Sequence, residues 1–123
     1  MTSTLIPICS SADLLERGMG VRFAVKVNGQ DMTAFVVRYE NKVHGYLNRC
    51  AHVPIELDWN EGDFFESSGL YLMCATHGAV YTPDQGKCVG GPCRGASLRK
   101  LAVEENENQV FWRPDDYVHA PEI

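Results

Sequence analysis

Two short segments of the sequence each place a cysteine and a histidine within one turn of chain. Cys50 and His52 are separated by one residue and Cys74 and His77 by two, with 21 residues between the two pairs. Thiolate sulfur and imidazole nitrogen both bind metals, so two such turns brought together supply two sulfur and two nitrogen ligands. Gly78 allows the backbone to bend sharply after the second pair.

Two metal centres fit this donor set. Zinc takes two cysteines and two histidines in a tetrahedral site, and a structural zinc ion is one interpretation. The other is a [2Fe–2S] cluster with two cysteines on one iron and two histidines on the other. Zinc sites usually separate the donors of each half by about two to five residues, because all four converge on one atom. The single residue between Cys50 and His52 therefore favours the cluster.

The elements that must position these donors are short strands. Residues 21–28 alternate apolar and polar side chains, and Asn28-Gly29 is a strong hairpin signal. We expect the return strand at 31–39, a turn at Glu40-Asn41, and a third antiparallel strand at 42–48. Further short strands are predicted at 69–73, 79–82, 97–103 and 108–113.

Only Ser10 to Glu16 looks helical, with Ser10 or Ser11 as its cap. Many short strands at close spacing predict an all-β fold, a small antiparallel barrel or sandwich. The length of 123 residues favours one domain over 1–123, with a lead-in over about 1–20 and a tail over about 114–123.

The charge pattern limits the partners. A net charge of −5 disfavours binding to nucleic acid or to anionic lipid, which are polyanions. No apolar run approaches the ~20 residues of a membrane helix, and the N-terminus lacks a secretory pattern, so we expect a cytoplasmic protein. Acidic residues are concentrated in 56–66 and basic ones in 87–100. These segments are either solvated surface or patches that steer a partner protein.

Longer motifs around the donors resemble the Rieske iron–sulfur family. CATHGAVY at 74–81 looks like the second ligand loop of that family, and GKCVGGP at 86–92 resembles its glycine turn and the following Pro loop. KVHGYLNRCAH at 42–52 also resembles family members, and the similarity extends over about 21–112. The resemblance implies a small antiparallel Rieske-like fold with two cluster-binding loops at one tip. It also implies a Rieske-type [2Fe–2S] cofactor, with the ligands Cys50, His52, Cys74 and His77.

Departures from the family pattern affect the expected reduction potential. High-potential members join the two loops by a disulfide and place a serine near the cluster. Here Ile55 and Thr76 stand at the disulfide positions and Ala79 at the serine position. Tyr81 matches a tyrosine that donates to a cysteine sulfur in such members, although a role as core aromatic is the simpler interpretation. We expect a potential in the lower half of the family range of about −150 to +300 mV.

The resemblance implies a one-electron carrier, similar to the small soluble ferredoxins that pass electrons from a reductase to a terminal oxygenase. The sequence lacks a second domain for a mononuclear iron and carries no flavin or nucleotide motif, so we expect an electron-transport component and not an enzyme acting alone. The alternatives are a dedicated iron–sulfur subunit, a redox sensor or a zinc-stabilised interaction module. The identity of the partners and the oligomeric state stay open.

The remaining cysteines and histidines have simpler interpretations. Cys9 is expected to be a small buried residue, His44 a structural histidine in a strand, and His119 part of a frayed tail. Cys88 and Cys93 are interpreted as small packing residues, with a disulfide or a redox-sensing role as alternatives. Whether Phe64 and Phe65 are core or exposed is left open.

Overall fold

The computed structural model describes residues 5–50, 55–58, 60–75, 78–91 and 95–121. Within these ranges the chain is almost entirely β, with antiparallel pairing between its strands, as predicted. The strands are β1 Ile6–Ser10, β2 Val21–Val27, β3 Gln30–Tyr39, β4 Lys42–Leu47, β5 Leu72–Met73, β6 Val80–Tyr81, β7 Cys88–Gly90, β8 Lys100–Asn106, β9 Gln109–Arg113 and β10 Val118–His119.

Two sheets organise these strands. The larger sheet has the order β1-β9-β8-β4-β3-β2-β10, and the smaller one has the order β5-β6-β7. The predicted meander is confirmed, since β2 pairs with β3 and β3 with β4. Asn28-Gly29 and Glu40-Asn41 both have positive φ at their two residues, which matches the right-handed twist of a hairpin.

Strand β3 passes between separate parts of the core. Phe35 and Val37 pack in a cluster that contains the two predicted cysteine ligands, whereas Ala34 and Val36 pack in two other clusters. All four side chains are fully buried. Successive side chains of a strand point to opposite faces, so one apolar run supports both sides of the sheet. One face of β3 therefore packs in the same core cluster as the two predicted cysteine ligands.

The chain ends differ from expectation. The helix predicted from Ser10 to Glu16 is wrong, because only a three-residue 3₁₀ turn forms at Ser11–Asp13, capped by the Ser10 side chain. The extended backbone of Leu14 ends this turn, and its side chain is buried. Strand β1 lies within the expected lead-in and pairs with β9.

The expected tail also contributes a strand. β10 pairs with β2, with Val118 opposite Val27 and His119 opposite Lys26. Val118 is fully buried, which anchors the segment, so the prediction that His119 lies in a frayed tail is wrong. No helix in the ranges given above has the length and apolar character needed to cross a lipid bilayer.

Candidate metal centre

The two predicted ligand loops begin where strands end. Cys50 follows β4, and its backbone N–H donates to the carbonyl of Ile55 at 2.7 Å. Cys74 follows β5, and its N–H donates to the carbonyl of Ala79 at 2.8 Å. Gly78, with a φ of 72°, returns a 2.8 Å hydrogen bond from its N–H to the carbonyl of Cys74. Backbone hydrogen bonds thus close both loops, and the sharp bend predicted at Gly78 is present.

The two cysteine side chains share one apolar environment. Cys50 is 3% exposed and Cys74 is fully buried, and both belong to the core cluster that includes Ala79 and Tyr81. The Tyr81 hydroxyl oxygen lies 3.3 Å from the Cys50 sulfur atom. Tyr81 is therefore both a core aromatic and a hydrogen-bond partner of a cysteine, so the two interpretations of this residue are compatible.

This environment fits an iron–sulfur cluster with two thiolate ligands. Two ferric ions, two sulfides and two thiolates have no net charge, so burying that site costs little in a medium of low dielectric. His52 and His77 lie outside the described residues. Among the described residues no three His, Cys, Asp or Glu side chains form a group able to hold a metal. The described part of the candidate site consists of the two predicted sulfur ligands, Cys50 and Cys74.

The segment predicted as the Pro loop begins against the second ligand loop. A Cβ atom on Gly91 would lie 2.9 Å from Cα of Ala79, so only glycine allows this close approach. Cys88 is buried and disulfide-bonded, and the expectation that it packs as a free thiol is wrong. Cys93 lies outside the described residues. A disulfide at Cys88 is unusual for the reducing compartment that the sequence predicts.

The acidic segment is not a uniform solvated patch. Arg22 on β2 faces three of its carboxylates, those of Glu56 at 2.6 Å, Glu61 at 3.6 Å and Asp58 at 3.7 Å. The Asp58 side chain has no exposed surface, whereas the Glu61 side chain is 80% exposed. The interpretation of Asp58 as a solvated or steering charge is therefore wrong, because a buried carboxylate is unavailable to a partner. Glu56 and Glu61 stay accessible.

Two other ionisable residues behave as simpler interpretations predict. Cys9 is half-buried on β1, and burial together with the nearby Asp13 carboxylate raises the pKa of its thiol to about 11. His44 lies in β4 with its ring 6.5 Å from that of Tyr39, and burial followed by the Lys100 charge lowers its pKa. Both are structural residues of the sheet.

The phenylalanines left open by the sequence are both part of the core. Phe64 is 1% exposed and its ring stacks on Phe35 with 3.7 Å between centroids. Phe65 is partly buried against the same cluster. Phe64 and Phe65 thus hold the acidic segment against the core cluster that contains the two predicted cysteine ligands.

A buried polar network next to the start of the first ligand loop is not predictable from the sequence. Asn48 is 3% exposed and donates from Nδ2 to the Asp58 carboxylate at 2.9 Å. The only signal in the sequence is the position of Asn48 at the end of a strand, two residues before Cys50. That signal does not predict burial.

An all-β fold with two loops that bring buried cysteines together defines a small metal-binding domain. A model of the Rieske [2Fe–2S] domain matches residues 4–118, and the chain belongs to this family. Its cofactor is therefore a Rieske-type [2Fe–2S] cluster, and zinc is not the metal that the family binds. No curated protein is significantly similar to the chain in sequence.

Solved structures with the same fold include small ferredoxins. The ferredoxin of carbazole 1,9a-dioxygenase from Nocardioides aromaticivorans IC177 is 22% identical, with a TM-score of 0.71 over 91% of this chain and 99% of that one. The Sphingomonas yanoikuyae B1 ferredoxin is 20% identical, with a TM-score of 0.69 over 91% of this chain and 100% of that one.

A third similar structure is a complex of reduced oxygenase and oxidized ferredoxin in carbazole 1,9a-dioxygenase. Its matching chain is 20% identical, with a TM-score of 0.66 over 89% of this chain and 92% of that one. At these identities the similarity establishes a shared fold.

Proposed function

We propose that the protein is a one-electron carrier that delivers electrons to a terminal oxygenase. Its cluster ligands in this proposal are Cys50, His52, Cys74 and His77. When bound, the cluster accepts and returns a single electron. The observation that carries the proposal is the burial of both cysteines in one apolar cluster, while Ala75 and Gly78 of the second loop are exposed.

The exposed edge of the loops supports exchange with another protein. Ala75 and Gly78, on either side of the undescribed part of the second loop, are exposed, as is Gly91. Val89 on β7 is 46% exposed although it is apolar. None of these four described residues carries a charge, and such side chains suit contact with a transient partner because burying them has a small desolvation penalty.

The choice of partner rests on the family and on a solved complex. In the carbazole 1,9a-dioxygenase complex, a ferredoxin of the same fold is bound to an oxygenase. This supports an oxygenase as the acceptor for the present protein. A reductase as the electron donor and a cytoplasmic location are parts of the proposal that rest on the sequence alone.

The test has two stages. The protein purified from iron-supplemented cells should contain two irons and two sulfides per chain, and the reduced form should show the rhombic electron paramagnetic resonance signal with low average g that histidine ligation produces. Stoichiometric zinc without iron would contradict the cluster.

The second stage measures delivery of the electron. The reduced protein is mixed anaerobically with the oxidised terminal oxygenase of a carbazole dioxygenase, and stopped-flow absorption follows both clusters. We expect the carrier to be reoxidised at the same rate as the oxygenase is reduced. A cluster-loaded protein that reduces no oxygenase would contradict the proposed acceptor and leave the cofactor assignment intact.

A further inference from the structure

A buried side chain lies directly before the first ligand loop, and both polar atoms of its carboxamide bond to the acidic segment. Asn48 Oδ1 accepts a 2.9 Å hydrogen bond from the Leu57 N–H, and Nδ2 donates to Asp58 Oδ1 at 2.9 Å. The backbone N–H of Asn48 donates to the carbonyl of Thr33 on β3. Because the Leu57 N–H can only donate, the orientation of the carboxamide is unambiguous.

Asp58 continues this network to the other side of the segment. Its Oδ2 atom accepts a 2.9 Å hydrogen bond from the Gly62 N–H and lies 3.7 Å from Nε of Arg22. The Asp58 side chain is fully buried, so each of these contacts replaces a hydrogen bond to water. Loss of one partner would leave a buried polar atom unsatisfied.

Leu57, whose N–H bonds to Asn48, also contacts the second ligand loop through its carbonyl. The carbonyl of Leu57 accepts a 3.0 Å hydrogen bond from the N–H of Ala75, which directly follows Cys74. A continuous path of hydrogen bonds therefore runs from Asn48, two residues before Cys50, to the residue after Cys74. Leu57 itself is fully buried, and hydrogen bonds at its N–H and its carbonyl hold its backbone between the loops.

We propose that Asn48 is a positioning residue that, paired with Asp58, sets the spacing of the two cluster-binding loops. The proposal rests on the proposed function only in taking Cys50 and Cys74 as cluster ligands. In this role Asn48 acts through Leu57, whose backbone N–H and carbonyl connect the two loops.

The test exchanges the two side chains. Asn48→Asp replaces the donor to Asp58 by a second carboxylate, so two acceptors face each other in a buried site. In the double variant Asn48→Asp/Asp58→Asn, the carboxylate at 48 accepts from Leu57 and from the new amide at 58, whose oxygen accepts from Gly62. Every hydrogen bond of the pair returns and the summed charge of the pair is unchanged, although the negative charge that faces Arg22 at position 58 moves to position 48.

The control is Gln30→Glu, which makes the same amide-to-acid change at an exposed position on β3. The loaded proteins are compared by the rate at which a chelator bleaches the visible absorption, by midpoint potential and by the paramagnetic resonance of the reduced form. We expect Asn48→Asp to lose its cluster about tenfold faster or more, and to show broadened resonances. The double variant should match the wild type in bleaching rate, midpoint potential and paramagnetic resonance.

Two results would overturn the proposal. One is a bleaching rate and a spectrum of Asn48→Asp that match those of Gln30→Glu. The other is a double variant as defective as the single one, since the hydrogen bonds would then be irrelevant. If Asn48→Asp does not fold, the double variant decides alone: wild-type behaviour supports the proposal, and failure to fold contradicts it. A wild-type protein without a cluster would instead refute the proposed function, and this proposal with it.

Discussion

The hydroxyl oxygen of Tyr81 lies 3.3 Å from the sulfur atom of Cys50, and both side chains are buried. Tyr81 reaches this position from β6, the central strand of the small sheet, where it pairs with Leu72 and Cys88. If the sulfur of Cys50 binds iron as proposed, it carries no proton, and the tyrosine hydroxyl is then the donor. The bond would be stronger in the reduced state, because the cluster would then carry one more negative charge.

Replacing Tyr81 by Phe should therefore lower the midpoint potential. A hydrogen bond to a charged acceptor contributes roughly 1.5–3 kcal/mol, and a one-electron couple shifts by about 59 mV per tenfold change in equilibrium constant. Since only part of the bond energy depends on the redox state, we expect a decrease of tens of millivolts. Protein-film voltammetry at neutral pH measures it.

The matched control is Tyr46→Phe. Tyr46 is also fully buried, but its hydroxyl donates to the carbonyl of Pro83 at 2.8 Å. The Tyr46→Phe variant should therefore leave the midpoint potential of the cluster nearly unchanged. Equal shifts in the two variants would show that the Tyr81 hydroxyl has no specific effect on the cluster.

The ligand assignment predicts different outcomes for cysteine and histidine variants. Cys50→Ser or Cys74→Ser should abolish the cluster, because each removes a thiolate from iron. His52→Cys or His77→Cys should retain an iron–sulfur centre with a lower potential, because a thiolate adds negative charge where a histidine was neutral. Visible absorption and iron content measure the first effect, and voltammetry measures the second.

Cys9→Ser is the control for these variants, since Cys9 lies on β1 outside the core cluster of the loops. It should keep full iron content. If Cys50→Ser and Cys74→Ser also kept an unchanged visible spectrum, the proposed ligands would be incorrect.

Accessible charges beside the loops should affect partner association. Glu56→Lys and Glu61→Lys reverse acidic groups that are 47% and 80% exposed. We expect each to change the association rate with the oxygenase while the midpoint potential is nearly constant. The effect should decline at 1 M salt, where the screening length is about 3 Å. Stopped-flow measurements over a range of salt concentrations test this.

Glu107→Lys is the comparison, because Glu107 lies in the β8–β9 turn, at the end of β8 away from its pairing with β4. Its reversal should have a smaller effect on association. Rates that are insensitive to salt and to all three reversals would exclude electrostatic steering by these residues.

The Arg38–Glu105 pair predicts a pH-dependent contribution to stability. Hydrogen bonds from Arg38 lower the pKa of Glu105 from 4.5 to about 2. A lowered carboxyl pKa stabilises the folded state above the unfolded-state value, and the contribution is lost as pH falls from about 4.5 towards 2. Because Glu105 is partly exposed, we expect Glu105→Gln to cost only about 1 kcal/mol at pH 7.

Urea unfolding followed by tryptophan fluorescence measures this difference. The wild type and Glu105→Gln should differ by a constant amount between pH 8 and about pH 5, and converge below that. A difference that grew on acidification would contradict the ion-pair interpretation.

Local features of the chain were predictable because their signals lie within a few residues. Asn28-Gly29 predicts its hairpin, since both residues tolerate positive φ, and alternation along 21–28 and 31–39 predicts the paired strands. The spacing of Cys50 from His52, together with the motif around Cys74, indicates the cofactor. Such patterns depend on covalent neighbours, so no tertiary information is needed to interpret them.

Other features were decided only by tertiary packing. Asp58 belongs to an acidic run that resembles solvated surface, yet it is buried, with Arg22 of β2 and Asn48, directly after β4, as its partners. β10 forms a strand because it pairs with β2 at the edge of the larger sheet and because Val118 is buried there. Burial and hydrogen-bond partners depend on residues far away in the chain, and their positions are set by the whole fold. The sequence alone thus determined the family, the cofactor and the meander. Contacts between residues far apart in the sequence determined that the Asp58 carboxylate is buried in the core and is not a surface charge.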